Sequence, residues 1–218
     1  DRSSQFPGLN LMREVHEGMM KHRTPHDYAD GSAIPRAPTL EAQVVNLADE
    51  IAYTAHDTDD GLRAGVFTLA DLSKLQLPAV ALERARRRGT DIRGSLVTVL
   101  VTDLYKTSVA LLEEKKITSL ADVYHAKSPL IDFSAVMQEG LRELRAFLWK
   151  NFYLSEQVTR QAQHGRETIA ALFAAYMQSP PPKVLALQKK TGGALEEAVK
   201  DYIAGMTDVF AMDARAEL

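Results

Sequence analysis

The sequence predicts an all-α protein of about eight to ten helices and no sheet. Three observations lead there. Apolar residues return every three or four positions in each long stretch, the spacing that lines one side of a helix. Serine, threonine, asparagine or aspartate stands just ahead of most of these stretches, where its side-chain oxygen can accept a free N–H of the first turn. The one β-branched run, SLVTVLVT from Ser95, lies inside a longer helical period rather than between turns.

Each element follows from those signals. Phe6-Pro-Gly makes a turn, and Asn10 is placed to cap a helix carrying Leu11, Met12, Val15, Met19 and Met20 as far as His22. Residues 23–38, RTPHDYADGSAIPRAP, hold three prolines and read as a loop whose length points to function or motion. Leu40 to Gly65 is one long helix, with Thr39 as cap, Glu41 near its positive end, and Gly61 and Gly65 marking its close. Thr68 and Asp71 resemble a capping box opening a short helix to Leu75. Pro78 starts a helix that ends in Arg84, Arg86, Arg87, Arg88 and Gly89. Thr90 or Asp91 caps the next, whose core stripe is Ile92, Leu96, Val99, Leu100, Leu104, Val109 and Leu112. Thr118 or Ser119 caps a short helix to Tyr124, and Ser134 opens an amphipathic one with Leu141, Leu144, Phe147 and Leu148. Another runs from Ser155 to Met177 until Pro180-Pro-Pro182 breaks it, and a last one spans Gly193 to Ala211.

Composition narrows the classes. With 218 residues, 45% of them hydrophobic and 25% charged, the chain can bury a substantial core in one large or two small domains. A net charge of −3 steers it neither to nucleic acid nor to an anionic membrane. Having no cysteine, it forms no disulfide and no thiolate-zinc site, and this points to a reducing, cytoplasmic setting. No apolar run approaches the ~18 residues a membrane span needs, and the start lacks a basic-then-apolar signal segment. Beginning at Asp1 without methionine, the chain reads as a processed or truncated product.

The most informative stretch is the long helix, LEAQVVNLADEIAYTAHDTDDGLRAG. At about 100° per residue, Val44, Leu47, Ile51, Ala55 and Leu62 share one sector, while Asn46, Asp49, Tyr53, His56, Asp57 and Asp60 gather opposite. A solvated face normally mixes signs, yet this one has no lysine or arginine before Arg63. Clustered carboxylates repel unless a cation or a hydrogen-bonding ligand sits against them. The face reads either as one wall of an active site or as a water-exposed acidic surface. In the first case Asp49 suits Mg²⁺ or Mn²⁺, and Tyr53 and Asp57, one and two turns on, suit a hydroxylated ligand.

Other candidates have plainer explanations. His22 and His26 have a zinc-like spacing, but Pro25 interrupts any helix that would align them. The doublets His26-Asp27 and His56-Asp57 point about 100° apart on a helix and define no site alone. The arginines at 84–88 read as cations complementing a helix C-terminus, with phosphate binding the alternative.

The long stretch resembles a signature of the bacterial deoxyguanosinetriphosphate triphosphohydrolase-like proteins, a branch of the HD-domain dNTPases. FPGLNLMREVHEG near the start, SPLIDFS and LRAFLWKNFY in the middle, and DYIAGMTDVFA at the end agree in order. The resemblance implies an HD-domain-type helical bundle, with residues 1–66 the C-terminal part of the catalytic domain and 67–218 a helical region packed on it. It implies cleavage of a dNTP, dGTP among them, to deoxynucleoside and triphosphate. It also implies a metal held by a His, a His-Asp pair and a final Asp, which matches Asp49 here, with Tyr53 and Asp57 meeting the deoxyribose. The family's own His-Asp doublet lies upstream and is followed by a turn rich in glycine, histidine and proline; no such turn follows either doublet here. The expectation is therefore that of a C-terminal portion, inactive alone, of a metal-dependent homo-oligomeric enzyme. The competing reading is a non-catalytic helical module for oligomerisation or nucleic-acid binding. A third is a self-sufficient metalloenzyme that joins His16, His22 or His26 to Asp49.

Overall fold

The computed structural model describes residues 9–21 and 39–218, and over these the protein is helical with no strand. Eleven α-helices and one π-helical turn are present among the described residues. The chain divides into two compact units, residues 1–152 and 153–218.

The first unit holds α1 (Arg13–Lys21), α2 (Leu40–Arg63), α3 (Leu69–Leu72), α4 (Gln76–Arg88), α5 (Ile92–Glu114), α6 (Leu120–His125) and α7 (Ala135–Leu148). Five of its seven helices, α2, α3, α5, α6 and α7, start at side-chain caps. The Ala42 amide donates to Thr39 Oγ1 at 3.1 Å, the Gly94 amide to Asp91 Oδ1, and the Met137 amide to Ser134 Oγ. Thr68–Asp71 and Ser119–Asp122 are complete capping boxes. Hydrogen bonding to Thr68 and Lys74 holds the Asp71 carboxyl down to about 2. Asn10 is not a cap. It stands at φ 51, in the left-handed region, and α1 begins three residues later at Arg13. His22, His26 and the stretch 23–38 lie outside the described residues.

α5 packs against both α2 and α4, and α4 packs in turn on α7. Leu96 and Leu100 of α5, Leu72 of α3, and Leu144 of α7 are fully buried, and Ile51 and Ala55 of α2 join them. The SLVTVLVT run is helical, as its flanking period predicts. α5 is also long and apolar enough to cross a bilayer, with a mean hydropathy of 1.4 over its most apolar window. This corrects the expectation that no apolar run is long enough: Thr98, Thr102, Asp103 and Lys106 interrupt the run without lowering its mean hydropathy below that of a span. Its Leu96–Leu100–Leu104 stripe faces the helical core.

Gly61 lies in the last turn of α2, which closes at Arg63 between Gly61 and Gly65 as expected, and the packing gives a further reason for the glycine. A Cβ there would fall 2.3 Å from Cε1 of Phe67. That ring is buried and meets Phe147 edge-on at 5.1 Å. The glycine lets the aromatic ring close over the last turn of the helix, at the cost of about 1 kcal/mol in helix propensity.

The second unit follows a π-helical turn at Trp149–Tyr153 and contains α8 (Glu156–Gln178), α9 (Pro182–Thr191), α10 (Leu195–Ala204) and α11 (Asp208–Ala216). Leu172, Val184, Ala198, Val199 and Ile203 form its core, with Tyr176 and Tyr202 partly buried against it. Two expectations change here. Pro180-Pro-Pro182 does break α8, which ends at Gln178, but Pro182 is also the first residue of a further helix, α9, closed by Gly192 at φ 70. The single helix expected over 193–211 is two, because the chain turns at Gly205-Met206 and Thr207 caps α11 through the Phe210 amide.

Candidate functional site

α2 sorts its side chains much as its sequence implies, with one rotation. Ile51 and Ala55 are buried, but Val44 is exposed, and Gln43, Thr54, Thr58 and Gly61 are buried in addition. The inward face is therefore more polar than the apolar stripe suggested. On the opposite face Asp49, His56 and Asp60 are exposed, while Asn46, Tyr53 and Asp57 are half-buried. Asp49, Tyr53 and Asp57 rise along one side at successive turns, as the helical repeat requires.

Among the described residues no group of three or more His, Cys, Asp or Glu comes together to hold a metal ion. A lone exposed carboxylate does not retain a divalent cation, since such sites draw several ligands together. The described residues thus do not fit a metal centre by themselves. His16, on α1, is exposed. Arg86, Arg87 and Arg88 occupy the last turn of α4 ahead of Gly89, where they complement the helix's negative end. Arg84 and Arg87 also line a groove of about 560 Å³ with Val80, Val99, Asp103 and Lys106. Asp49, Tyr53 and Asp57 do not line it. What α2 presents is a wall.

The wall is held from behind. Gln43 Oε1, buried in the first turn of α2, accepts the amides of Leu130 at 3.0 Å and Ile131 at 3.3 Å. Further along the same SPLIDFS segment the Asp132 amide donates to Ser108 Oγ at 3.2 Å. Ser134 donates from both its amide and its hydroxyl to the Asp103 carboxylate, each at 2.8 Å. Gln138 Nε2 donates to Asp132 Oδ1 at 2.9 Å. One irregular segment is thereby tied to α2, α5 and α7, with its Leu130, Ile131 and Phe133 side chains in the core. Its backbone groups need partners because they are buried, and side chains of three helices supply them.

One more tie touches the wall itself. Arg145 of α7 reaches Glu50 of α2, with Nη1 2.8 Å from Oε1. The Glu50 side chain is only 13% exposed and that of Arg145 36%. Burial pushes the Glu50 carboxyl above its usual range, Arg145 opposes that rise, and the charge of Asp132 adds to it. Tyr53, one turn beyond Glu50, has its hydroxyl enclosed beside Thr54 and Arg145. Burial, then the Glu50 charge, pushes this phenol above its ordinary value. Sequence reasoning missed Gln43, Glu50, Asp132 and Arg145. Gln43 was findable, because it sits one turn before Leu47 and two before Ile51, on a line that otherwise leads into the core.

The ion pair carries a prediction. A carboxyl whose folded value is raised holds its proton more tightly in the folded state. Glu50 therefore favours folding most below the ordinary glutamate value, and that contribution is lost as pH rises through the raised one. Arg145→Met leaves a buried carboxylate without its counter-charge and is expected to cost about 1–3 kcal/mol at neutral pH, less than a fully buried pair because the guanidinium is partly solvated. The deficit should narrow toward about pH 5, whereas Glu50→Gln, which removes the desolvated charge, should cost much less. Urea unfolding of the three proteins at acid and neutral pH measures both; an Arg145→Met deficit independent of pH would show that Glu50 is not the group left stranded.

Residues 131–217 match the family model described as a phosphohydrolase-associated domain. The chain is 37% identical over 229 residues to the deoxyguanosinetriphosphate triphosphohydrolase-like protein of Geobacter sulfurreducens, covering 98% of this chain and 59% of that one. It is 37% identical to the protein of the same name from Azoarcus, covering 97% of this chain and 60% of that one. For the one from Bordetella pertussis the figures are 35% identity, 97% and 59%. The chain is homologous to these proteins along nearly its whole length and spans about three-fifths of theirs.

Proposed function

We propose that this chain forms one wall of the nucleotide site of a deoxynucleoside triphosphate triphosphohydrolase. In that reaction water attacks a dNTP, dGTP among them, and deoxynucleoside and inorganic triphosphate leave. The observation that carries the reading is the agreement of two independent features. The resemblance to proteins named triphosphohydrolase-like runs across 98% of the chain. The side of α2 that bears Asp49, Tyr53 and Asp57 is accessible, and buried polar ties hold the helix from behind.

The roles are then specific. Asp49 is one ligand of a divalent cation, Mg²⁺ or Mn²⁺, whose other ligands are not among the described residues. Tyr53 and Asp57 meet the deoxyribose, with the aspartate carboxylate accepting from the 3′-hydroxyl. The cation, when bound, offsets phosphate charge and acidifies water. Residues 1–66 act as catalytic-domain sequence, 67–218 as its helical support, in a cytoplasmic homo-oligomer. The competing reading, a nucleic-acid-binding or oligomerisation module, gains nothing from an acidic face without lysine.

Triphosphate release from dGTP with Mg²⁺ or Mn²⁺ tests this. The full-length protein is expected to release triphosphate, and the 218-residue chain alone to show no turnover above background. Release of orthophosphate or pyrophosphate instead of triphosphate by the full-length protein would overturn the reaction class. Turnover by the 218-residue chain would overturn the claim that its site is incomplete.

A further inference from the structure

The closing stretch DYIAGMTDVFA carries part of the family resemblance, yet the proposed roles leave it without a task. In the second unit it bends around a groove of about 510 Å³. Asp201 and Tyr202 of α10, Met206 in the turn and Phe210 of α11 line the groove, and Lys183 and Leu187 of α9 complete it. The adjoining helix, α11, is apolar on two sides. Ala211 and Ala214 pack on the core of the unit. At about 100° per residue, Val209 and Met212 fall opposite those alanines, with Phe210 on the flank between. No residue of α11 is buried: Val209 is 69% exposed, Phe210 47% and Met212 41%. An outward apolar ridge thus stands beside an apolar groove, and Phe210 borders both.

Charge decides what fits there. Asp208 and Asp213, both exposed, flank the ridge. The α9 wall carries Lys183, Lys189 and Lys190 and no carboxylate. The groove's own carboxylate, Asp201, is met by Lys200 at 3.1 Å, so Lys183 sets the sign of the groove. An acidic ridge and a basic groove complement each other, but a ridge cannot fold into the groove it borders. A second copy can supply each to the other.

We propose that this face of the second unit is a two-fold interface between copies of the chain, each seating its Val209–Met212 ridge in the other's groove. This rests on the reading of the protein as a homo-oligomer and on no nucleotide chemistry. In a two-fold contact the same patch serves both partners. Lys183 of each copy therefore faces Asp208 and Asp213 of the other, and Phe210, shared by ridge and groove, lies nearest the axis. A central aromatic anchor supplies affinity, and the charges around it set the register.

Sedimentation velocity of the 218-residue chain over a range of concentrations tests this, with circular dichroism showing that each variant is folded. The parent is expected to self-associate, and Phe210→Glu to weaken that association at least about thirtyfold, as loss of a central aromatic anchor does. Lys183→Asp should weaken it about tenfold, and so should Asp208→Lys/Asp213→Lys, because each sets like charges against one another. Mixed in equal amounts, these two charge variants should pair as tightly as the parent to within about threefold, since opposite charges then meet at both ends of the contact. A monomeric parent would overturn the homo-oligomer and the interface together. Association unchanged by Phe210→Glu, or a mixture no tighter than its parts, would overturn the interface alone. Triphosphate release from dGTP decides the nucleotide reading separately.

Discussion

Asp49→Ala in the full-length protein is expected to lower dGTP turnover by at least about a hundredfold and to strip its divalent metal, while stability stays within about 0.5 kcal/mol. The size follows from what ligands do. Even groups that only orient a metal's ligands typically cost 10–100-fold when removed, so a ligand itself costs no less. The unchanged stability follows from position. Asp49 is exposed on the outer face of α2, and its carboxylate has no hydrogen bond or ion pair among the described residues. Removing one of several like charges relieves repulsion if it does anything. That combination separates function from folding. Metal content by elemental analysis, kcat/KM and a melting curve on the same preparation decide the matter; a variant that keeps its metal and its rate removes Asp49 from the site.

How much of this was legible in the sequence depends on which force sets each feature. Helix identity and starts were readable, because caps and apolar spacing are local: Thr39, Thr68, Ser119, Ser134 and Ser155 all cap as their positions imply. Breaks decided by a single small residue were harder. Gly61 marks the last turn of α2 as its position implies, but its packing against Phe67 was not readable, and Gly205, which looked like one more residue of a helix, ends α10. The PPPKVLALQKKTG stretch carried its own signal, proline at the first helical position and glycine after the last, and reads as α9 once those are taken together.

The candidate site divides in the same way. Its outward residues were visible because a one-signed helix face is anomalous on any chain. The ties behind it were not, because they join positions far apart: Gln43 to Leu130 and Ile131, Glu50 to Arg145. No periodicity encodes a pair separated by 87 residues. The SPLIDFS segment was recognisable only as a likeness to relatives, and its structure supplies the physical meaning: a loop whose buried amides are accepted by side chains of α2 and α5, while Gln138 of α7 donates to it.

The consequence is largest at Gln43. Gln43→Leu is expected to destabilise the protein by about 2–6 kcal/mol, although the substitution adds apolar surface to a buried position, because two buried amides lose their acceptor at roughly 1–3 kcal/mol each. The side chain is 6% exposed and its Oε1 is the acceptor for both Leu130 and Ile131. Water cannot readily replace it, since the two amides belong to residues whose own side chains are 0% and 7% exposed. Gln43→Glu is the informative companion: its carboxylate can still accept both amides, so it should recover part of the loss despite the cost of burying charge. Urea titration gives the free energies, and amide exchange at Leu130 and Ile131 reports whether the segment opens locally before the helices do. A Gln43→Leu loss below about 1 kcal/mol, with those amides still protected, would mean that the segment is held by its Leu130–Phe133 side chains alone.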